Sequence, residues 1–379
     1  MDILILGAGK MAKGVIFDLL QNKSVNKITV VDQEQSALDS IHSKFMDKRV
    51  KTFQSKVEDL NVIGNIMKGA DCVINATHYM YNVDLTKLCI SKKVNFCDMG
   101  GNVDSVEKQF TLSGRAKEAG VTVIPDCGLA PGMTNIVAAH YAQEFAELEY
   151  LKIRVGGVPQ QPKTMLNYQL VFSVEGLINE YLEKALILKE GKLVYVDSMT
   201  ETEELVFKDP FGRMEAFYTS GGTSTLPRTL EGKVKNLDYK TIRYPGHCRL
   251  IKMLLELGLA SSEEVNLEGT KIVPRKILGK LLQEYLPMGE PDAVLVRIEI
   301  IGKKLGNAMK ESWELIDYYD EKSNLSSMQR TTAFPVSIIA QMIASGKIPL
   351  KGVVPQETAI PTAEFIQELE KRSIKFYKI

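Results

Sequence analysis

The stretch Ile3-Leu4-Ile5-Leu6-Gly7-Ala8-Gly9-Lys10-Met11-Ala12 constrains the chain more than any other. Four consecutive apolar residues predict a strand buried on both faces. The glycines that follow form G-x-G-x-x-A, and Met11, Val15, Phe17, Leu19 and Leu20 give the next segment the apolar face of a helix ending near Asn22. A turn of this kind leaves helix N–H groups free for an anion. Gly7 makes the tight turn, Gly9 lets the backbone approach a phosphate, and Ala12 keeps helix and strand close. A second strand, residues 27–31, ends at Asp32, where a carboxylate accepts hydrogen bonds from both ribose hydroxyls of a dinucleotide. For that residue alone, capping a helix before Glu34 is the alternative. Asp32 repels a 2′-phosphate, and Gln33-Glu34-Gln35 supplies no arginine to receive one, so NAD is expected rather than NADP. Lys10 is expected to border the pyrophosphate, with Met11 and Gln33 beside the cofactor.

The alternation continues. Helices near 34–47, 58–68, 83–91 and 105–119 separate strands at 50–53, 72–75, 94–98 and 121–124. Six strands with intervening helices predict a complete doubly wound parallel sheet of the Rossmann type, with ligands at the carboxyl ends of its strands. Those ends carry Gly7, Asp32, Asn75, Asp98 and Pro125-Asp126. From residue 126 the rhythm changes. Strands are expected at 150–156, 192–196, 203–207, 214–219 and 239–243, with a hairpin whose arms are 293–301 and 312–319. The fold class is therefore α/β, a Rossmann domain over 1–125 followed by a second, mixed α/β domain over 126–330. A helix is expected at 334–345, after Pro335, and another at 363–371.

The 379 residues contain 47 Lys+Arg and 47 Asp+Glu, so no net field attracts nucleic acid or an anionic membrane, and a small molecule is the expected partner. No run approaches the roughly 18 apolar residues of a membrane span, and residues 1–7 read as a strand rather than a signal peptide. A cytoplasmic location is the expectation. Five cysteines without a C-x-x-C pair suit reduced thiols. Four histidines show no metal-ligand spacing, so no metal is expected.

Nicotinamide has to meet a substrate in the cleft between the domains, so polar residues at strand ends and on glycine-rich loops are the candidates. Asn75-Ala76-Thr77-His78, Cys97-Asp98-Met99-Gly100-Gly101-Asn102, Asp126-Cys127-Gly128-Leu129-Ala130-Pro131-Gly132-Met133-Thr134-Asn135, Thr219-Ser220-Gly221-Gly222-Thr223-Ser224 and Arg243-Tyr244-Pro245-Gly246-His247 are of this kind. Several of them, with Ser173-Val174-Glu175-Gly176-Leu177-Ile178-Asn179-Glu180-Tyr181 and Arg330-Thr331-Thr332-Ala333-Phe334-Pro335, resemble the saccharopine dehydrogenase family, most closely its lysine 6-dehydrogenase branch. The resemblance spans nearly the whole chain. It implies a saccharopine-reductase-like second domain for substrate, a segment 331–379 that returns to the nucleotide domain, and subunits that pair through the second sheet as a homodimer or higher homo-oligomer.

What the resemblance implies chemically is oxidation of the ε-carbon of L-lysine by NAD⁺. Water converts the imine to 2-aminoadipate 6-semialdehyde and ammonia, and the product cyclises to piperideine-6-carboxylate. Such a reaction needs a base near the ε-nitrogen and a cation near the carboxylate. Asp98 is the first candidate for base or amine anchor, with capping of its own turn as the alternative. Glu175 either meets an amine or caps a helix. His247 either transfers protons or bonds to backbone. Arg243, with Tyr244 beside it, either meets the carboxylate or serves a structural ion pair, and Thr223 and Ser224 either donate to the same carboxylate or form a plain turn. Asn75, Ala76, Thr77, His78 and Gly100 are expected along the cofactor, His78 near the nicotinamide ribose. Cys97 and Cys127 are expected to be packing residues, since the reaction needs no thiolate. The alternatives are a saccharopine or carboxynorspermidine dehydrogenase-type reductase, and a non-catalytic NAD-binding regulatory protein.

Overall fold

Ile3 to Leu6 form the central strand of a parallel sheet in the computed structural model, which describes residues 1–379. The chain divides into two units: residues 1–144, 223–229 and 329–375, and residues 145–222, 230–328 and 376–379. In the first, strands β1 (Asp2–Leu6), β2 (Lys27–Asp32), β3 (Val50–Gln54), β4 (Cys72–Asn75), β5 (Asn95–Asp98) and β6 (Thr122–Ile124) lie in the order β6-β5-β4-β1-β2-β3. All the pairings are parallel, and Gly352–Val353 extends the sheet beyond β6. This is the doubly wound α/β arrangement. The strand order reverses between β1 and β4, which opens a crevice at their carboxyl ends.

Apolar runs make these strands because both faces are covered. Leu4, Leu6, Val73, Phe96 and Val123 are buried with Leu85, Cys89 and Ala116 from the helices. The helix Lys10–Gln21 buries Ala12, Val15, Ile16 and Leu19. It also buries an acid. Asp18 accepts hydrogen bonds from Ser337 Oγ at 2.6 Å, Gln341 Nε2 at 3.2 Å and Arg372, whose Nη2 is 3.1 Å away. These partners follow Asp18 by more than three hundred residues, so one carboxylate ties the C-terminal segment to the first helix of the unit.

In the second unit a mixed sheet runs β10 (Glu203–Val206), β11 (Arg213–Tyr218), β12 (Val234–Arg243), β7 (Glu147–Pro159), β15 (Asp292–Lys304) and β16 (Asn307–Tyr318), and Tyr377–Lys378 pairs with β16. β7 and β12 are parallel; the neighbours on either side are antiparallel. β8 (Ala185–Lys189) joins β12 and carries β9 (Lys192–Val196), while β13 (Val265–Leu267) and β14 (Thr270–Ile272) form a separate hairpin. A bulge at Ile301/Gly302 requires the glycine, since a Cβ there would stand 2.1 Å from the Glu147 carbonyl oxygen.

The compact units divide the chain differently from the boundary expected at residue 126: helix Met133–Ala142, nearly all buried, and residues 223–229 belong to the first unit, and 376–379 to the second. Pro335 does not start a helix but lies inside Ser327–Ala344, where buried Ala333, Phe334, Val336, Ile338 and Ile339 hold the helix across the missing N–H. The short strand β8 and the helix Pro274–Tyr285 give weak local signals and were not expected.

Replacing Asp18 with alanine strips Arg372, Ser337 and Gln341 of their shared acceptor. The expected loss is roughly 1.5–3 kcal/mol of unfolding free energy, measured by denaturant titration of the whole chain.

Candidate functional site

The glycine turn after β1 is built as its sequence demands. Gly7 has φ +100°, and a Cβ on it would lie 2.9 Å from the Ala76 carbonyl oxygen; a Cβ on Gly9 would meet nothing within 4 Å. Gly9 is the N-cap of helix Lys10–Gln21, and no side chain caps that end, so its first N–H groups remain available to an anion. Asp32, at the end of β2, accepts from the Ala8 N–H at 2.7 Å through Oδ2 and from the Glu34 N–H at 2.9 Å through Oδ1. It thus aligns the glycine turn and fixes the turn at Glu34 that leads into helix Gln35–Lys44, and each oxygen keeps a lone pair for a ribose hydroxyl.

A pocket of about 270 Å³ opens here, lined by Gly7, Gly9, Asp32, Gln33, Ala76 and Thr77 together with Ser55, Glu58 and Tyr81. Its lining holds two carboxylates, Asp32 and Glu58, and no lysine or arginine. Tyr81 donates to Glu58 Oε1 at 2.7 Å, which holds that carboxyl below its usual range. The glycines at the turn, the open helix end and the acid after β2 fit an adenosine diphosphate moiety. Lys10 is exposed, Met11 half-buried and Ala12 buried against the sheet. Asn75 is spent on the turn after β4: its Oδ1 accepts from the Thr77 N–H and hydroxyl, and its Nδ2 donates to Asn82. His78 caps the following helical turn through Nδ1 and its ring lies 4.1 Å from that of Tyr79.

At the ends of β5 and β6 the first unit buries three carboxyls. Asp98 Oδ1 accepts from the N–H groups of Gly100 at 2.8 Å and Asp126 at 3.1 Å, and Oδ2 accepts from Gln109 Nε2 at 2.9 Å. Asp98 therefore holds the turn, the more conservative of the two roles expected for it. Asp126, which the sequence placed at a strand end without a role of its own, sits in the left-handed region at φ +60° and is 3% exposed. Its Oδ1 is buried and has no hydrogen-bond partner. Burial pushes its carboxyl up to about 8, helped by the charge of Asp98 and opposed by the Ser224 hydroxyl. Burial also raises Asp98, against the hydrogen bonds it accepts. Glu357, raised by burial too, takes the hydroxyls of Thr225 at 2.9 Å and Thr229 at 2.6 Å. Ser224 is buried at φ +47°, its Oγ has no hydrogen-bond partner, and it lines a second cavity of about 380 Å³ with Val103, Phe110 and Thr225. Thr223 contributes its carbonyl oxygen to Asn135 Nδ2 at 2.7 Å.

Within the second unit, Arg243, Tyr181 and His247 form a directed chain. His247 Nδ1 lies 2.9 Å from the Leu166 carbonyl oxygen, which only accepts, so Nδ1 carries the proton and Nε2 takes the Tyr181 hydroxyl at 3.0 Å. Arg243 Nε in turn donates to the Tyr181 oxygen at 3.0 Å. Burial, together with the Arg243 charge, pushes the imidazole down to about 3. His247 is thus a neutral imidazole with both nitrogens engaged, which is the second of the two roles expected for it, a bond to backbone. The Arg243 guanidinium lies over the Tyr168 ring, 4.9 Å from its centroid, and its Nη2 is 3.9 Å from Glu180 Oε2, an ion pair beyond hydrogen-bond reach. Glu180, with a third of its side chain exposed, is pushed up to about 7 by burial against the pull of Arg243. Glu175 is corrected: it is an exposed ion-pair partner of Arg275, with Nη2 to Oε2 at 2.8 Å, and the helix cap is Ser173. Tyr244 donates to the Pro159 carbonyl oxygen at 3.0 Å. Cys97 and Cys127 are buried thiols pushed up by burial, consistent with packing.

Residues 3–124 match the model of the saccharopine dehydrogenase NADP binding domain, and residues 128–374 that of the saccharopine dehydrogenase C-terminal domain. The mitochondrial alpha-aminoadipic semialdehyde synthase of Bos taurus is 21% identical over 93% of this chain and 45% of its own length. The chain thus spans about half the length of that relative. Carboxyaminopropylagmatine dehydrogenase of Synechocystis sp. is 20% identical over 100% of this chain and 97% of its own. Among solved structures, apo saccharopine dehydrogenase (L-Glu forming) from Saccharomyces cerevisiae superposes with a TM-score of 0.82 at 19% identity, covering 100% of this chain and 99% of that one.

A Cβ on Gly100 would stand 2.0 Å from Asp126 Oδ1, and φ there is +79°. Gly100→Ala is expected to cost more than about 1 kcal/mol of stability in thermal unfolding. An unchanged midpoint would show that the turn relaxes freely.

Proposed function

The chain belongs to the saccharopine dehydrogenase family of oxidoreductases, and from that premise we propose that it oxidises the ε-carbon of L-lysine with NAD⁺, releasing ammonia and 2-aminoadipate 6-semialdehyde. The observation that carries the substrate reading is the state of the arginines. A substrate with two or three carboxylates calls for several free cations. Arg154 is buried between Asp238, at 2.5 Å, and Glu203; Arg228 pairs with Glu107, and Arg213 is exposed at the surface with Nη1 3.6 Å from Glu204. Arg243 is the buried arginine whose Nη2 has no carboxylate within hydrogen-bond reach, Glu180 being 3.9 Å away. One such buried cation suits a substrate with one carboxylate.

NAD rather than NADP is the cofactor on this reading. The 2′-phosphate of NADP would face Asp32 and Glu58 in a pocket whose lining offers no cation, and two negative groups in such a place repel. The matched family model carries NADP in its description, which makes the preference a sharp test. Bound NAD⁺ supplies the hydride acceptor. The chain's own part is to seat the pyrophosphate at the helix end after Gly9, hold the ribose at Asp32, receive the carboxylate at Arg243 and keep water away from the buried acids.

A second reading is a reductase that joins an amine to a carbonyl. It is favoured by the Synechocystis relative, which matches over 100% of this chain and 97% of its own length.

Absorbance of NADH formed from L-lysine separates these readings, with saccharopine run alongside. Turnover on lysine is expected, with NADP⁺ slower by about tenfold or more, and Asp32→Ala is expected to raise the KM for NAD⁺ about tenfold by removing a charged acceptor. Activity on saccharopine and none on lysine would contradict the substrate, and equal use of NADP⁺ would contradict the cofactor.

A further inference from the structure

We infer that Asp126 is the catalytic base that takes the proton from the substrate ammonium, with Asp98 as its positioning residue. The inference rests on the amine oxidation proposed above and goes beyond it by assigning the proton. Five acids and bases are candidates, and the geometry sorts them. Asp98 has both oxygens occupied by N–H donors. Glu357 holds two threonine hydroxyls. Glu175 is paired with Arg275 at the surface, and both nitrogens of His247 are engaged. Asp126 Oδ1 is buried and unpartnered. A buried carboxylate oxygen without a donor is costly, and an arriving ammonium would relieve the cost.

The surroundings are shaped for that oxygen. Gly100 is the residue facing it, and any side chain there would occupy its place. The Asp126 backbone N–H donates to Asp98 Oδ1 at 3.1 Å, which sets the direction of the Asp126 side chain. Ser224, whose Oγ is likewise buried and unpartnered, lines the cavity of about 380 Å³ and offers a second oxygen to an amine. The charged and titratable groups around Asp126 are Asp98 at the end of β5, Glu357 on the helix Gln356–Ala359, and the thiols of Cys97 and Cys127. None is a cation, so Asp126 is kept proton-loving until a cationic substrate arrives.

In the step itself one N–H bond of the ammonium breaks, its proton passes to Asp126 Oδ1, and the bonding pair remains on nitrogen. That lone pair becomes the second bond to the ε-carbon as a hydride leaves it, so ammonium and NAD⁺ become iminium and NADH with the proton on Asp126. Atoms and charge balance without another reactant.

The test compares the native chain with Asp126→Asn, chosen because asparagine tolerates the left-handed backbone. Turnover is measured across pH with lysine, saccharopine and other primary amines, beside NADH binding by fluorescence. Expected are a fall in kcat of about a hundredfold or more with NADH affinity retained, and loss of the rise in kcat/KM that the native chain shows towards about pH 8. Asp98→Asn should keep that rise and move it to lower pH by removing the neighbouring negative charge. A second readout needs no turnover. The folded carboxyl titrates near 8 and an unfolded one near about 4, so the folded chain binds the extra proton between them and native stability falls as pH rises through that window. Asp126→Asn removes this loss, and its melting temperature relative to the native chain should climb from acid to alkaline pH. Unchanged turnover in Asp126→Asn, or a flat melting difference, overturns the assignment. Activity on another amine but not on lysine would end the lysine reading while leaving the Asp126 comparison intact on that amine. Silence on every amine tested would contradict both.

Discussion

A single carboxylate oxygen, Asp98 Oδ1, receives the N–H groups of two loops that leave adjacent parallel strands. That double acceptance sets the end of β5 against the end of β6, and a backbone bond from Cys127 N–H to the Asp98 carbonyl oxygen at 2.7 Å reinforces it. The left-handed Asp126 and the glycine at position 100 are consequences of the same closure. Two acids buried side by side repel when both are charged, and the hydrogen bonds to Asp98 favour ionisation there while Asp126 keeps its proton more tightly. The pair titrates as a unit whose proton resides preferentially on the acid without donors.

Sheet topology brings the pocket after β1 and the buried acids after β5 and β6 to the same end of the sheet in the first unit. Reversal of strand order between β1 and β4 opens the crevice whose walls are Gly7, Gly9, Asp32, Ala76 and Thr77. Moving outward from β4, the next two strands end at Asp98 and Asp126. The carboxyl end of the parallel sheet thus carries the open helix N-terminus and the Asp32 carboxylate on one side of the reversal, and Asp98 and Asp126 on the other. The second unit contributes a different device, a buried arginine held by aromatic faces and a tyrosine hydroxyl. Its orientation is set by a histidine with no proton to exchange at neutral pH.

Much of this was legible before any coordinates, because the signals were local. The apolar run, the glycine spacing and Asp32 belong to one continuous strand, turn, helix and strand, and their physics is short-ranged. The same holds for the six-strand alternation. Residues whose surroundings depend on distant partners were left open by the sequence. His247 sits at a glycine-flanked helix start, as expected, but its chemistry is decided by Leu166 and Tyr181, far away in sequence. Glu175 meets Arg275 a hundred positions on. Asp126 was visible only as the end of a strand, since neither a positive φ nor a missing donor leaves a mark on composition. Pro335 was read by its local rule and overruled by packing on both sides of it.

The most direct measurement uses L-lysine carrying isotopically labelled nitrogen at the ε-position, incubated with NAD⁺ and the purified chain, with ammonia and NADH quantified together. The account predicts labelled ammonia in equal amount to NADH, with the α-nitrogen retained in the cyclised product. Ammonia without the label would place oxidation at the α-carbon, and label retained in a secondary amine would mean coupling to a carbonyl; either result would contradict ε-deamination.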